Sequence, residues 1–250
     1  MSARGPVALL AAGALASGAV AGCGVVPAPP AQDPAWGAAS ASPGASPPFP
    51  TASPSEPALE AGFAAAQRVA VRVRNVGCGL GVSTGSGFAV DAHTLVTNEH
   101  VVEGAATLQV DTFDGHELEV TTAGISVVAD LALIRTIEPM DAIVALAATD
   151  AAVGDEVTVV GFPGGGPMTT STGRVLAYQE DPLGTNVDQV MAMDATVAPG
   201  SSGSPVFGAD GSVVGVVYAV SSTGTASFAV PVSALAQLLE DADEAEATDC

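Results

Sequence analysis

Between residues 69 and 230 the chain is a succession of short β-type runs separated by Gly, Asp, Asn and Thr. The first set occupies 87–90, 94–97, 107–112, 118–123 and 131–135; a second follows Gly154 at 156–161, 169–177, 189–192, 204–207, 213–220 and 226–230. Regular short strands with turn punctuation predict an all-β sandwich or barrels. Alternation in Val69-Ala70-Val71-Arg72-Val73-Arg74 marks a first strand with its arginines towards solvent. A short helical pattern at 58–68 precedes it, 232–239 reads as a terminal helix, and the acidic stretch 240–249 reads as a solvated end. With 250 residues the chain is long enough for one large unit or two lobes with a sizeable core.

The first 23 residues read as an export signal: Arg4, an apolar Ala-rich run from about Val7, and the ending Val20-Ala21-Gly22-Cys23. The run is short for a membrane span, and its ending resembles a bacterial lipobox, which implies lipidation of Cys23 and a membrane anchor. An uncleaved anchor and an ordinary signal with a chance Cys are the alternatives. Residues 24–57 are Pro, Ala and Ser with almost no apolar periodicity, so they are expected to form a disordered tether. All six basic residues are arginine and the formal charge is −21, which excludes a Walker-type phosphate loop and argues against nucleic acid as a partner.

One turn carries chemistry. In Pro199-Gly200-Ser201-Ser202-Gly203-Ser204-Pro205 a serine framed by glycines is presented beside free backbone N–H groups. Its hydroxyl needs a base and an orienting carboxylate to become a nucleophile. Of three histidines, His100 stands in Thr97-Asn98-Glu99-His100-Val101-Val102, where one helical turn ends at Gly104. Asp130 stands inside the apolar run Val127-Val128-Ala129-Asp130-Leu131-Ala132-Leu133-Ile134, where an ionised carboxylate is costly unless paired.

The order His100, Asp130, Ser202, together with Gly85-Ser86-Gly87-Phe88, Ala129-Asp130-Leu131-Ala132 and Gly161-Phe162-Pro163-Gly164-Gly165-Gly166, resembles the chymotrypsin-like serine proteases. Within them it is most similar to the HtrA branch and the membrane-anchored actinobacterial MarP-like proteases, over roughly residue 69 to the C-terminus. The resemblance implies a chymotrypsin-like double β-barrel, barrel one at about 69–148 and barrel two at about 149–232, with the short C-terminal helix behind and the disordered linker in front. It implies an exported serine endopeptidase with His100 as base, Asp130 as its orienting partner and Ser202 as nucleophile. The backbone N–H groups of Gly200 and Ser202 would form the oxyanion hole.

A polypeptide substrate would lie along Tyr218-Ala219-Val220 as an added strand. Its specificity pocket would involve Thr196, Val220 and Ser227, lack a basal carboxylate, and suit small or medium apolar residues. With Cys23 lipidated, Cys78 and Cys250 are left as the two thiols of an exported domain and are expected to pair, a similar clasp being a feature of MarP-like proteases, with two free thiols as the alternative. Ser201 replaces an Asp used in zymogen activation by digestive relatives, so no such cleavage is expected. Ser204 replaces a Gly of the family's turn, and a positive φ there would strain it. His93 and His116 read as solvated surface residues, and Val120 stands where a zinc-protease helix needs its second ligand. No metal and no cofactor are expected. No segment resembling a peptide-sensing PDZ domain follows, so a monomer is the expectation. A catalytically silent peptide-binding module and an esterase-like hydrolase are the alternative functions.

Overall fold

The computed structural model describes residues 64–79, 81–125, 129–184, 187–221, 224–240 and 246–247. The export signal, Cys23, the tether and Cys250 lie outside the described residues. Residues 64–69 are helical (α1) and carry the helix one position into the expected first strand.

Among the described residues, fourteen strands follow in two sheets. The first holds β1 (Ala70–Gly77), β2 (Val82–Asp91), β3 (Thr94–Asn98), β4 (Ala105–Thr112), β5 (Glu117–Leu118), β6 (Val120–Ile125), β7 (Leu131–Thr136) and β14 (Glu246–Ala247). The second is a closed barrel of β8 (Glu156–Gly161), β9 (Thr169–Gln179), β10 (Val190–Met193), β11 (Pro205–Phe207), β12 (Val213–Val220) and β13 (Ser227–Pro231). A single turn of helix, α2 (Glu99–Val102), follows β3, and α3 (Val232–Glu240) closes the second barrel. The all-β expectation and the two-barrel arrangement both hold.

Why so many strands read as unbroken apolar runs is explained by burial on both faces. In β7, Ala132 and Ile134 point into the first sheet's core with Val71, Leu95 and Val110, while Leu131 and Leu133 point the other way. In β10, Met191 and Met193 fill the second barrel, while Val190 and Ala192 face out. These outward residues join Phe88, Val96, Phe162, Val216, Phe228 and Val230 in a third cluster shared by both barrels, covered by Leu235 and Leu238 of α3. A period-two pattern disappears when both faces are apolar. β1, with one face partly wet, keeps it: Val71 and Val73 are buried, Arg72 half-buried and Arg74 exposed.

Two expectations are corrected. The run 118–123 is two strands, because Leu118 pairs with Val110 of β4 whereas the chain from Val120 onward pairs with β7. Glu119 makes the corner, its N–H donating to Glu138 Oε2 at 2.9 Å. The acidic end is not wholly solvated either: Glu246 and Ala247 lie antiparallel to Ile125 and Gly124, extending the first sheet at β6. Ladder hydrogen bonds involve the backbone, so an acidic segment can cover a sheet edge without any apolar signature.

Candidate active site

His100 is delivered by α2. β3 pairs with β7 from Thr94↔Arg135 to Asn98↔Leu131, so the end of β3 and the start of β7 lie side by side, with His100 just beyond one and Asp130 just before the other. Asp130 Oδ2 is 2.7 Å from His100 Nδ1, and Oδ1 accepts the backbone N–H of His100 at 3.0 Å. The carboxylate that looked costly in an apolar run is therefore paired on both oxygens. His100 keeps 47% of its side chain exposed against 9% for Asp130, and the imidazole's other nitrogen bonds to no described residue.

Asp130 is held in an unusual backbone. Ala129 and Asp130 have φ of 76° and 49° and are the only non-glycine residues at positive φ among those described. The carbonyl of Asp130 is pinned there by Asn98 Nδ2 at 2.9 Å and by the N–H of Glu99 at 3.1 Å. Two left-handed residues in succession are strained, and strain of this kind persists where surrounding bonds over-determine the conformation. Asn98 was not picked out from the sequence. An Asn before a helical turn reads as a cap, but its side chain makes no capping bond and reaches across to Asp130 instead.

Ser202 comes from the second barrel and is brought to the His100 turn through glycines. A Cβ on Gly85 would sit 2.5 Å from Val101 and 3.2 Å from the carbonyl of Ser202, and one on Gly203 would sit 2.6 Å from Thr97 Oγ1 and 2.0 Å from the carbonyl of Ser86. Only bare backbone allows that approach. The N–H of Ser86 donates to the carbonyl of Ser202 at 2.7 Å, and the N–H of Gly203 to Val217 at 2.8 Å. Ser202 Oγ makes no hydrogen bond to a described residue.

The turn before Ser202 is built to expose donors. Gly200 has φ 93°, and a Cβ there would meet Gly164 N at 2.5 Å. Pro199 C=O accepts from Gly164 N–H at 2.7 Å. Since the C=O and N–H of a trans peptide point in opposite directions, the Gly200 N–H faces away from Gly164. Neither the Gly200 nor the Ser202 N–H is used by a described acceptor, while those of Ser201, Gly203 and Ser204 bond to Ala198, Val217 and Ser201. Two backbone donors left free next to a serine can stabilise an oxyanion. Ser204 is not at positive φ, so the strain anticipated for it is absent; it is fully buried with an unpartnered Oγ.

Of the expected substrate contacts, Thr196 and Val220 are exposed and Ala219 is half-buried. β12 pairs with β11 only as far as Val216, so beyond the Val217 bonds no described strand pairs with its Ser202-facing edge. Tyr218 and Ser227 are buried. Ser227 Oγ donates to the carbonyl of Ala195 at 2.5 Å, tying β13 to the segment that carries Thr196. Tyr218 OH donates to Asp181 Oδ1 at 2.6 Å; burial first, then that bond and the charges of Asp181 and Asp130, push its ionisation far above the ordinary phenol range. Beside the histidine, burial and the charges of Asp130 and Glu103 raise the carboxyl of Glu99. His93 and His116 lie exposed on turns, His93 with Nδ1 3.2 Å from the carbonyl of Thr136.

Known proteins resemble this chain. A probable DegP-like periplasmic serine endoprotease of Brucella suis is 34% identical over 64% of this chain and 33% of its own length. The chain thus spans about a third of the curated relatives it matches. The active form of the Rv3671c protease from M. tuberculosis superposes with a TM-score of 0.66 at 28% identity, covering 81% of this chain and 93% of that one. The HtrA-type protease AlgW, in a serine-to-alanine form with a tripeptide, gives 0.64 at 25% identity over 72% of this chain and 61% of its own. The model of the trypsin-like peptidase domain matches residues 85–216, which run from the glycine beside Val101, through His100, Asp130 and Ser202, into β12. The chain belongs to the trypsin-like peptidase family.

Proposed function

We propose that this chain is a serine endopeptidase that hydrolyses peptide bonds through an acyl-enzyme on Ser202. The observation that carries the reading is the pairing of a buried, doubly bonded Asp130 with an exposed His100, next to a serine whose turn leaves two backbone donors free. Substrate would bind along the open edge of β12 at Tyr218–Val220 by strand addition. His100 takes the proton of Ser202 as Oγ attacks the carbonyl carbon, and the oxyanion sits against the N–H groups of Gly200 and Ser202. The imidazolium, stabilised by Asp130, then protonates the leaving amine, and water repeats the sequence on the ester. Exposed Val220, paired with Ser227, whose hydroxyl is tied to the carbonyl of Ala195 just before Thr196, supports a preference for small or medium apolar residues before the cut.

The proposal extends to location. The lipobox-like ending at Cys23 supports an exported, lipid-anchored protein acting outside the cytoplasm, and the periplasmic description of the Brucella relative accords with that. A Cys78–Cys250 disulfide fits this compartment: Cys78 is disulfide-bonded, and β14 runs beside β6 a few residues before Cys250. The test is proteolysis of an unfolded protein by the full chain beside its Ser202→Ala variant. Cleavage lost in the variant supports the endopeptidase; a folded, disulfide-bonded protein with no cleavage and no fluorophosphonate labelling of Ser202 would move the reading to a silent peptide-binding module.

A further inference from the structure

The oxyanion turn contains a glycine at its centre, and its usefulness depends on which way one peptide points. The Pro199–Gly200 peptide can rotate at little steric cost, because Gly200 tolerates both signs of φ. Rotated, it would put the Pro199 carbonyl where the Gly200 N–H should be and abolish the hole. Something must hold it, and the holding groups lie outside the turn.

Ser86, on β2 of the first barrel, is completely buried. Its Oγ accepts the N–H of Phe162 at 2.9 Å and donates to the carbonyl of Gly200 at 2.9 Å. The two bonds orient one another: a hydroxyl has a single proton, and with a lone pair engaged by Phe162 that proton is directed at Gly200. Ser86 is itself fixed, its N–H on the Ser202 carbonyl at 2.7 Å and its C=O under Thr97 Oγ1 at 2.7 Å. Two residues past Phe162, Gly164 N–H takes the Pro199 carbonyl at 2.7 Å. The turn is therefore gripped at the carbonyls on both sides of the Gly200 N–H, and Ser86 joins one grip to the segment that makes the other. Gly161 leaves the room for this, since a Cβ there would stand 3.0 Å from Ser86 Oγ and 1.9 Å from Ser204 Oγ.

We infer that Ser86 is a positioning residue for the oxyanion hole: its hydroxyl holds the Gly200–Ser201 peptide directly and, through the Phe162 N–H, the segment whose Gly164 N–H fixes the Pro199–Gly200 peptide with the Gly200 N–H towards the reacting carbonyl. The inference rests on the serine-peptidase reading. Through this residue the first barrel, which supplies the base, also sets the electrostatics of the second barrel's nucleophile turn.

The experiment compares the full chain with Ser86→Ala on a peptide substrate, each normalised to titrated active sites, with Ser86→Gly as a second removal of the hydroxyl should the first fail to fold. We expect kcat to fall roughly 10- to 100-fold, less than the 10²–10³ lost with a donor itself, while KM stays within about twofold. Affinity for a peptide aldehyde, which needs the hole, should fall in parallel, and the pH profile set by the His100–Asp130 pair should be unchanged. A residue that merely stabilised the fold would lower the melting temperature and the titrated fraction but leave these per-site values alone. An unchanged kcat in an active protein overturns the inference. If the parent protein turns over neither peptides nor esters, the serine-peptidase reading fails separately. The crystal structure of Ser86→Ala then decides: loss of the Gly164–Pro199 bond supports the inference and an unmoved peptide overturns it.

Discussion

Asp130 grips His100 at two points, Oδ2 at 2.7 Å from the ring Nδ1 and Oδ1 at 3.0 Å from the backbone N–H. One carboxylate thus orients both the imidazole and the helical turn that carries it. Replacing it with Asn keeps the shape, and Asn is well suited to the left-handed conformation at this position. The backbone N–H of His100 must still be met by the amide oxygen, which turns the amide NH₂ towards Nδ1 and selects the wrong imidazole tautomer. Asp130→Asn is expected to lower kcat about 10⁴-fold, the size of that effect in serine-peptidase triads. Steady-state kinetics beside a thermal melt checks this; a melt that collapses with the activity would show Asp130 acting chiefly in folding.

At Gly200 the constraint is steric as well as conformational. A methyl group would meet Gly164 N at 2.5 Å and Phe162 O at 3.0 Å, at a φ of 93°. Gly200→Ala should displace the peptide and remove one oxyanion donor, lowering kcat roughly 10²–10³-fold with a smaller change in KM. Equal kcat in the two proteins would show that the Gly200 N–H takes no part in the chemistry.

Ser204 Oγ is buried without a partner, and an unmade bond of this kind costs about 1–3 kcal/mol. Ser204→Ala is expected to raise the unfolding free energy by about 1 kcal/mol while leaving kcat unchanged. Chemical denaturation measures the first and peptide hydrolysis the second. A loss of stability would mean that the hydroxyl is satisfied in solution.

The chain has two tyrosines, both held neutral beyond the ordinary range. Tyr178, half-buried, donates to the carbonyl of Ala151 at 2.7 Å, and burial, with the charges of Asp150 and Asp155, pushes it up to about 12. Tyr218 is displaced further in the same direction. Absorbance titration should show no phenolate step near pH 10 while the protein is folded. The unfolded chain ionises its phenols from about pH 10, whereas the folded one keeps their protons. Stability should therefore fall as pH rises from about 10 towards 12, and an ordinary phenolate step in the folded protein would contradict both placements.

Much of the site was legible because its chemistry requires particular residue types. Ser202 between glycines, His100 after a β-type run and an Asp inside an apolar stretch each stood out against physical expectation. Asn98 and Ser86 did not. Their side chains bond to backbone atoms 32 and 114 positions away, and a polar residue next to a turn or within a strand has commoner explanations. Nor were the surroundings of Tyr218 legible, a residue expected to offer its main chain to the substrate: its ring is buried in the shared core and its hydroxyl is tied to Asp181.

Sequence alone determined that the chain would be all-β, where nearly every strand would fall, and which three side chains could make a triad. Those properties reside in local pattern and residue chemistry. Tertiary structure decided the rest: the division of 118–123 between two partners, the pairing of 246–247 with β6, the left-handed backbone at Ala129 and Asp130, and the direction of the Pro199–Gly200 peptide. Each depends on backbone hydrogen bonds between segments distant in the chain, which leave no mark on hydrophobic period or composition.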